Sequence, residues 1–159
     1  MAAPGMMRTV DTELIAAPPD RVFRHASLVE RWPEILPHYR WVRMVDRRAG
    51  AVVVEMAAYR PFGPLRWPTW WKSEMWVVPE RREVRYRHVA GVTRGMDVLW
   101  TVEPEGSGTR ATIVHTWTGP AWPLIGGIAA TLVIGPVFVS GIASRTLAGI
   151  RRAAENSNG

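Results

Sequence analysis

The chain has 159 residues, 47% of them hydrophobic and 21% charged, which suits one folded domain with its own core and excludes general disorder. It holds no Cys, so disulfides, thiolate metal sites and cysteine nucleophiles are excluded together, and a reducing cytoplasm fits. The formal charge of +6 would suit an anionic partner, but the basic residues, all arginine except Lys72, are scattered through strand-like segments as on a wet sheet face. No basic and aromatic platform for nucleic acid is evident. The start MAAPGMMRTV lacks the apolar run of a secretory signal.

Alternation predicts a first strand over Val10 to Ala16. Pro18-Pro19-Asp20 then opens a short helix whose apolar side is Val22, Phe23 and Ala26. A second short helix is expected over Leu28 to Leu36, with Pro33 marking a break or a fresh start. Strands follow at Tyr39 to Arg47 and Ala51 to Tyr59 around the turn Arg48-Ala49-Gly50. Pro61 to Pro68 reads as a loop, and further strands are expected at Trp70 to Val78, Val84 to Ala90, Met96 to Glu103 and Arg110 to Thr118. Glu105 to Gly108 makes the last hairpin turn. Connections this short predict an antiparallel meander in one α+β domain, with an ordered core over about 6–155.

Residues 116–144 carry no charge but hold five glycines and three prolines. Val133-Ile134-Gly135-Pro136 is expected to end one apolar helix before a second runs from about Val137 to Glu155. That second helix groups Val139, Ala143, Leu147 and Ile150 on one side, the pattern of a helix lying on an apolar surface. The uncharged stretch, including the Gly/Pro-interrupted 119–136, has several readings: a buried pocket cover, a peripheral membrane contact, a span, or the contact of a homodimer rather than a monomer.

Splitting the strands by parity gives one uncharged face. Trp71, Ser73, Met75 and Val77 share it with Val84, Tyr86, His88 and Ala90, with Met96, Val98, Trp100 and Val102, and with Ala111, Ile113, His115 and Trp117. The strand from Tyr39 is ambiguous, since Tyr39 and Trp41 share a parity with Arg43. A sheet with one apolar face needs a cover, and the C-terminal helix is the candidate. Either the helix sits loosely over a cavity dotted with Ser73, Tyr86, His88 and His115, or the space is a filled core with every polar atom bonded. No metal-ligand spacing, phosphate-cradling loop or Ser-His-Asp arrangement is readable, so neither metal nor cofactor is expected.

The element order resembles the helix-grip fold of the START-like (SRPBCC) superfamily. "APPDRVFRHASLVERWPEILPHYRWVRMV", "TRGMDVLWTVEPEGSGTRATIVHTW" and "ASRTLAGIRRAAE" resemble its polyketide aromatase/cyclase and coenzyme Q-binding branch. The resemblance implies a curved sheet of six to seven strands around a long helix, holding a hydrophobic or polyaromatic small molecule. It implies either a cyclase/dehydrase acting on a poly-β-keto chain from an acyl carrier protein, or a non-catalytic quinone or lipid carrier. Trp32, Tyr39, Trp71 and Ser73 match the pocket positions. Where well-studied cyclases have an arginine, this chain has Met75. For aldol chemistry, His88 or His115 is a candidate base, and Tyr39, Tyr86 or Ser73 a candidate donor. The expected catalytic set is thus Ser73, His88 and Tyr39, with Trp32, Trp71, Met75, Tyr86, Trp100, His115 and Trp117 as ligand contacts.

Overall fold

A computed structural model describes residues 6–62, 65–91, 93–117 and 136–157. Seven strands form one antiparallel sheet: β1 (Met7–Ile15), β2 (Tyr39–Arg48), β3 (Ala51–Phe62), β4 (Leu65–Val78), β5 (Glu83–Gly91), β6 (Asp97–Glu105) and β7 (Gly108–Trp117). Their spatial order is β1-β7-β6-β5-β4-β3-β2, so the chain closes its meander by laying β1 against β7. Between β1 and β2 lie α1 (Pro19–Ser27), a 3-10 turn (Val29–Arg31) and α2 (Trp32–Ile35). Pro33 sits in the first turn of α2, where its missing N–H costs nothing, so it starts the helix. The long helix α3 (Pro136–Asn156) follows the sheet.

The expected stripe on α3 is buried, Val139, Ala143, Leu147 and Ile150 each being at most 4% exposed, and Ala154 extends it. Burying a Leu or Ile side chain stabilises by about 1.5–3 kcal/mol, so this stripe holds the helix against the sheet. Polar groups fix its position beside β1. Arg151 donates to Glu13 at 2.8 Å and to Glu155 at 3.1 Å, and Glu155 accepts from the Ala16 amide at 2.9 Å. Among the described residues no helix is long and apolar enough to cross a membrane. The helix expected before Pro136, and residues 119–135 with it, lie outside the described residues.

Two departures from the expected strands have physical causes. Pro61 to Pro68 is not a loop, because β3 runs to Phe62 and β4 begins at Leu65. Proline is tolerated there because β2 pairs with β3 only as far as Ala58, and β5 pairs with β4 only from Trp71 onward. Each proline therefore lies where one side of its strand has no described neighbour and no ladder amide is missed.

The second departure is bulging. A register shift between Tyr39 and Trp41 inserts Arg40, so Tyr39 and Val42 share the inner face while Trp41 and Arg43 turn outward. The Arg43 guanidinium then lies 4.4 Å from the Trp41 ring centre. A second shift between Lys72 and Ser73 pairs Ser73 with His88 but Lys72 with Ala90. Ala90 thus leaves the inner face, where simple alternation puts it. Gly91 at φ +95° faces the Trp71 backbone so closely that a Cβ would lie 2.6 Å from the Trp71 Cα. This approach seats the Trp71 side chain over β5.

Candidate functional site

The inner face of the sheet, α2 and α3 enclose a chain of aromatic rings. Trp100 lies 5.7 Å from Trp32, Trp32 meets Tyr39 edge-on at 5.1 Å, and Tyr39 meets Trp71 edge-on at 6.1 Å. The Trp71 indole stacks on His88 at 5.9 Å with 7° between the planes. The Trp32 Nε1–H donates to the His25 carbonyl at 2.9 Å, so that indole is anchored at its polar end and apolar toward the interior.

These rings bound a void of about 60 Å³, walled also by Tyr86, His115, Thr146 and Ile142. An adjoining void of about 40 Å³ shares Trp71, His88, His115 and Ile142, and adds Thr93 and Met96. Pockets for drug-sized ligands span roughly 300–1,000 Å³, so the described residues leave only small voids where sequence suggested a cavity. Of the expected residues, Trp32, Tyr39, Trp71, Tyr86, His88, Trp100 and His115 come together around the larger void. Ser73, Met75 and Trp117 are buried but border neither void. Trp117 donates its Nε1–H to the Arg94 carbonyl at 3.0 Å. A larger hollow of about 640 Å³ lies on the other face, over Trp76, Leu99 and Val114. Its charged neighbours Arg85 and Arg87 already face Glu83 and Asp97.

The polar atoms at the void fall into bonded and free sets. Thr146 Oγ1 donates to the Ile142 carbonyl at 2.8 Å, which uses its one proton. It therefore accepts from His38 Nε2 at 3.0 Å, and the Tyr39 hydroxyl is a further hydrogen-bond neighbour of Thr146. His88 Nδ1 is bonded to Thr93 Oγ1 at 2.5 Å, in the turn that leads into β6. By contrast the Tyr86 hydroxyl, His115 Nδ1, Ser73 Oγ and Thr9 Oγ1 are buried with no partner among the described residues. Tyr86 and His115 share one cross-strand row, each paired with Val98, and Thr9 pairs with His115 at the far edge.

Burial sets the protonation of the site. Desolvation pulls His88 down to about 3, assisted by the nearby His115, and His115 itself down to about 4. Both imidazoles are neutral at pH 7. His38 is lowered to about 4 by desolvation and by the charges of Arg145 and Arg152. Burial drives the Tyr39 and Tyr86 hydroxyls upward, so both remain protonated. Sequence reasoning missed Thr93 and Thr146. Thr146 was findable, since it follows Ile142 and Ala143 along the buried side of α3; Thr93 depends on how the turn closes and left no signal.

A curved antiparallel sheet wrapped on one long C-terminal helix, with two short helices after its first strand, is a helix-grip fold. The family described as polyketide cyclase/dehydrase and lipid transport matches residues 15–135, and the chain belongs to it. A Streptomyces cyaneus protein named as a candidate polyketide cyclase is 32% identical over 97 residues, covering 60% of this chain and 62% of that one. Two solved structures share the fold. The TTHA0849 protein of Thermus thermophilus has a TM-score of 0.77 at 23% identity, covering 93% of this chain and 97% of that one. The Zhui aromatase/cyclase from Streptomyces sp. R1128 has 0.75 at 21%, covering 94% of each chain.

Proposed function

We propose that the chain binds a hydrophobic, polyketide-like small molecule between the sheet and α3, and assists its aldol ring closure and dehydration. The observation that carries this reading is the pair of unpartnered polar atoms, Tyr86 hydroxyl and His115 Nδ1, facing a void ringed by three indoles. A poly-β-ketone offers both things such a wall lacks: apolar surface for the rings and carbonyl oxygens for the free donors. In ring closure a base removes a proton from a carbon between two carbonyls. The carbanion then attacks a distant ketone, and loss of water makes the ring aromatic. Tyr86 is the natural donor to the developing oxyanion, because the Tyr39 hydroxyl already has Thr146 as a partner.

His88, fixed by Thr93 and stacked on Trp71, is the candidate base, with His115 beside it. Ser73 lies directly across the strands from His88. Both voids together are smaller than such a substrate, so binding requires the indoles or α3 to give way. In the catalytic reading an acyl carrier protein presents the chain. One observation favours a second reading, binding without turnover as by a quinone or lipid carrier: an imidazole held near 3 or 4 is a weak base. Incubation with a poly-β-keto thioester, followed by mass analysis of the cyclised products, tests the proposal. The native protein should redirect the product mixture, and Tyr86→Phe and His88→Phe should not. Products identical to those without protein would overturn catalysis, and a ligand retained in native mass spectrometry would then identify a carrier.

A further inference from the structure

Among the described residues the void wall contains no Arg, Lys, Asp or Glu: its polar groups are the hydroxyls of Tyr39, Tyr86, Thr93 and Thr146 and the imidazoles of His88 and His115. We infer that this interior site selects a neutral oxygenated ring compound, such as a phenol or cyclic ketone, and rejects the matching carboxylate. The inference rests on the reading above that the interior is the ligand site. It adds a ligand charge and two recognition atoms.

The argument is one of solvation. A carboxylate entering this wall loses its water and meets no cation to replace it. A phenolic or ketonic oxygen has far less hydration to lose, and two buried atoms lack partners. The Tyr86 hydroxyl and His115 Nδ1 sit two strands apart in one cross-strand row, roughly 10 Å between backbones at the usual strand spacing. Both residues line the same void, so a ligand oxygen there can meet either unpartnered atom. The guanidiniums that act on this region, Arg145 and Arg152, do so at His38 and are not in the wall. The partly buried carboxyl of Asp11 is held by Ser140 on α3 and is likewise outside it. Three indoles in the wall supply the apolar part of the recognition and also a signal, since a stacked ligand quenches their fluorescence.

The test is a matched set of probes, naphthalene, naphthol and naphthoate, titrated at pH 7.5 by tryptophan quenching and calorimetry. Naphthol should bind at least tenfold more tightly than naphthoate, with naphthalene between them. Tyr86→Phe, which keeps the ring and needs no repacking, should weaken naphthol several-fold and leave naphthalene unchanged. His115→Phe serves as the second variant, and both are checked for an intact thermal transition. Naphthoate binding as tightly as naphthol, or an unchanged naphthol affinity in both variants, would overturn the inference while leaving an interior site in place. Failure of all three probes would remove the interior-site reading itself.

Discussion

Replacing Tyr86 by Phe should make the protein more stable, and the sign of that change is the sharpest check on the site. The residue is 5% exposed, and its hydroxyl is buried without a partner. A buried unsatisfied polar group costs about 1–3 kcal/mol, which Phe recovers. The gap left by one oxygen is smaller than a methyl group, so its cavity penalty is below about 1 kcal/mol. The net expectation is a stabilisation of roughly 1 kcal/mol, or about 2–4 °C in Tm for a chain of this size. Tyr39 borders the same void but has its hydroxyl bonded to Thr146, so Tyr39→Phe should destabilise by about 1 kcal/mol instead. Urea unfolding at pH 7.5, with unchanged m values, reads both differences directly. If Tyr86→Phe loses 1 kcal/mol or more, the hydroxyl is bonded in solution, and its role as the free donor of the site is refuted.

Acidification should unfold the protein early. His88 and His115 titrate near 3 and 4 in the fold and near 6.5 when unfolded, so the unfolded chain binds more protons as the pH falls. Stability is then full above about pH 7 and declines below it by up to ~1.4 kcal/mol per pH unit for each histidine. A Tm unchanged between pH 7.5 and 4.5 would contradict the burial of these rings, and His115→Phe should reduce the slope. Gly91→Ala combines φ +95° with a Cβ pressed on the Trp70 carbonyl oxygen and the Trp71 Cα, and should cost more than about 2 kcal/mol. Wild-type Tm in that variant would show that β5 does not approach Trp71 so closely. Thr93→Val should release His88 from its hydrogen bond and impair ring closure, with Thr93→Ser restoring it; equal activity in both would free His88 from that constraint.

Most of the sheet was legible because its inner face is dry and its outer face wet. The parity of β5, β6 and β7 therefore appears directly as apolar residues against Arg85, Arg87, Asp97 and Arg110. The α3 stripe was legible for the same reason at helical spacing. What could not be read is where a strand gains a residue. Arg40 and the shift at Lys72 each invert parity for the residues beyond, and nothing in their composition announces it. The prolines at 61 and 68 misled in the opposite sense. Proline disfavours a strand only where its amide is needed, and that depends on how far the neighbouring strands extend.

The site shows the same division between what side chains are and what they lack. Of the seven residues around the larger void, alternation identified Trp71, Tyr86, His88, Trp100 and His115, whereas Trp32 and Tyr39 followed from the family resemblance of the Trp-Pro segment. Whether they form a filled core or a receptor turns on hydrogen bonds, and here two chemically identical phenols part ways. Tyr39 has Thr146 as a hydrogen-bond partner; Tyr86, across the same void, has none among the described residues. A core selected only for stability would have Phe at 86 and an aliphatic residue at 115, because each change removes an uncompensated polar atom. On the proposed reading, the cost of about 1–3 kcal/mol for each is recovered when a ligand oxygen completes them.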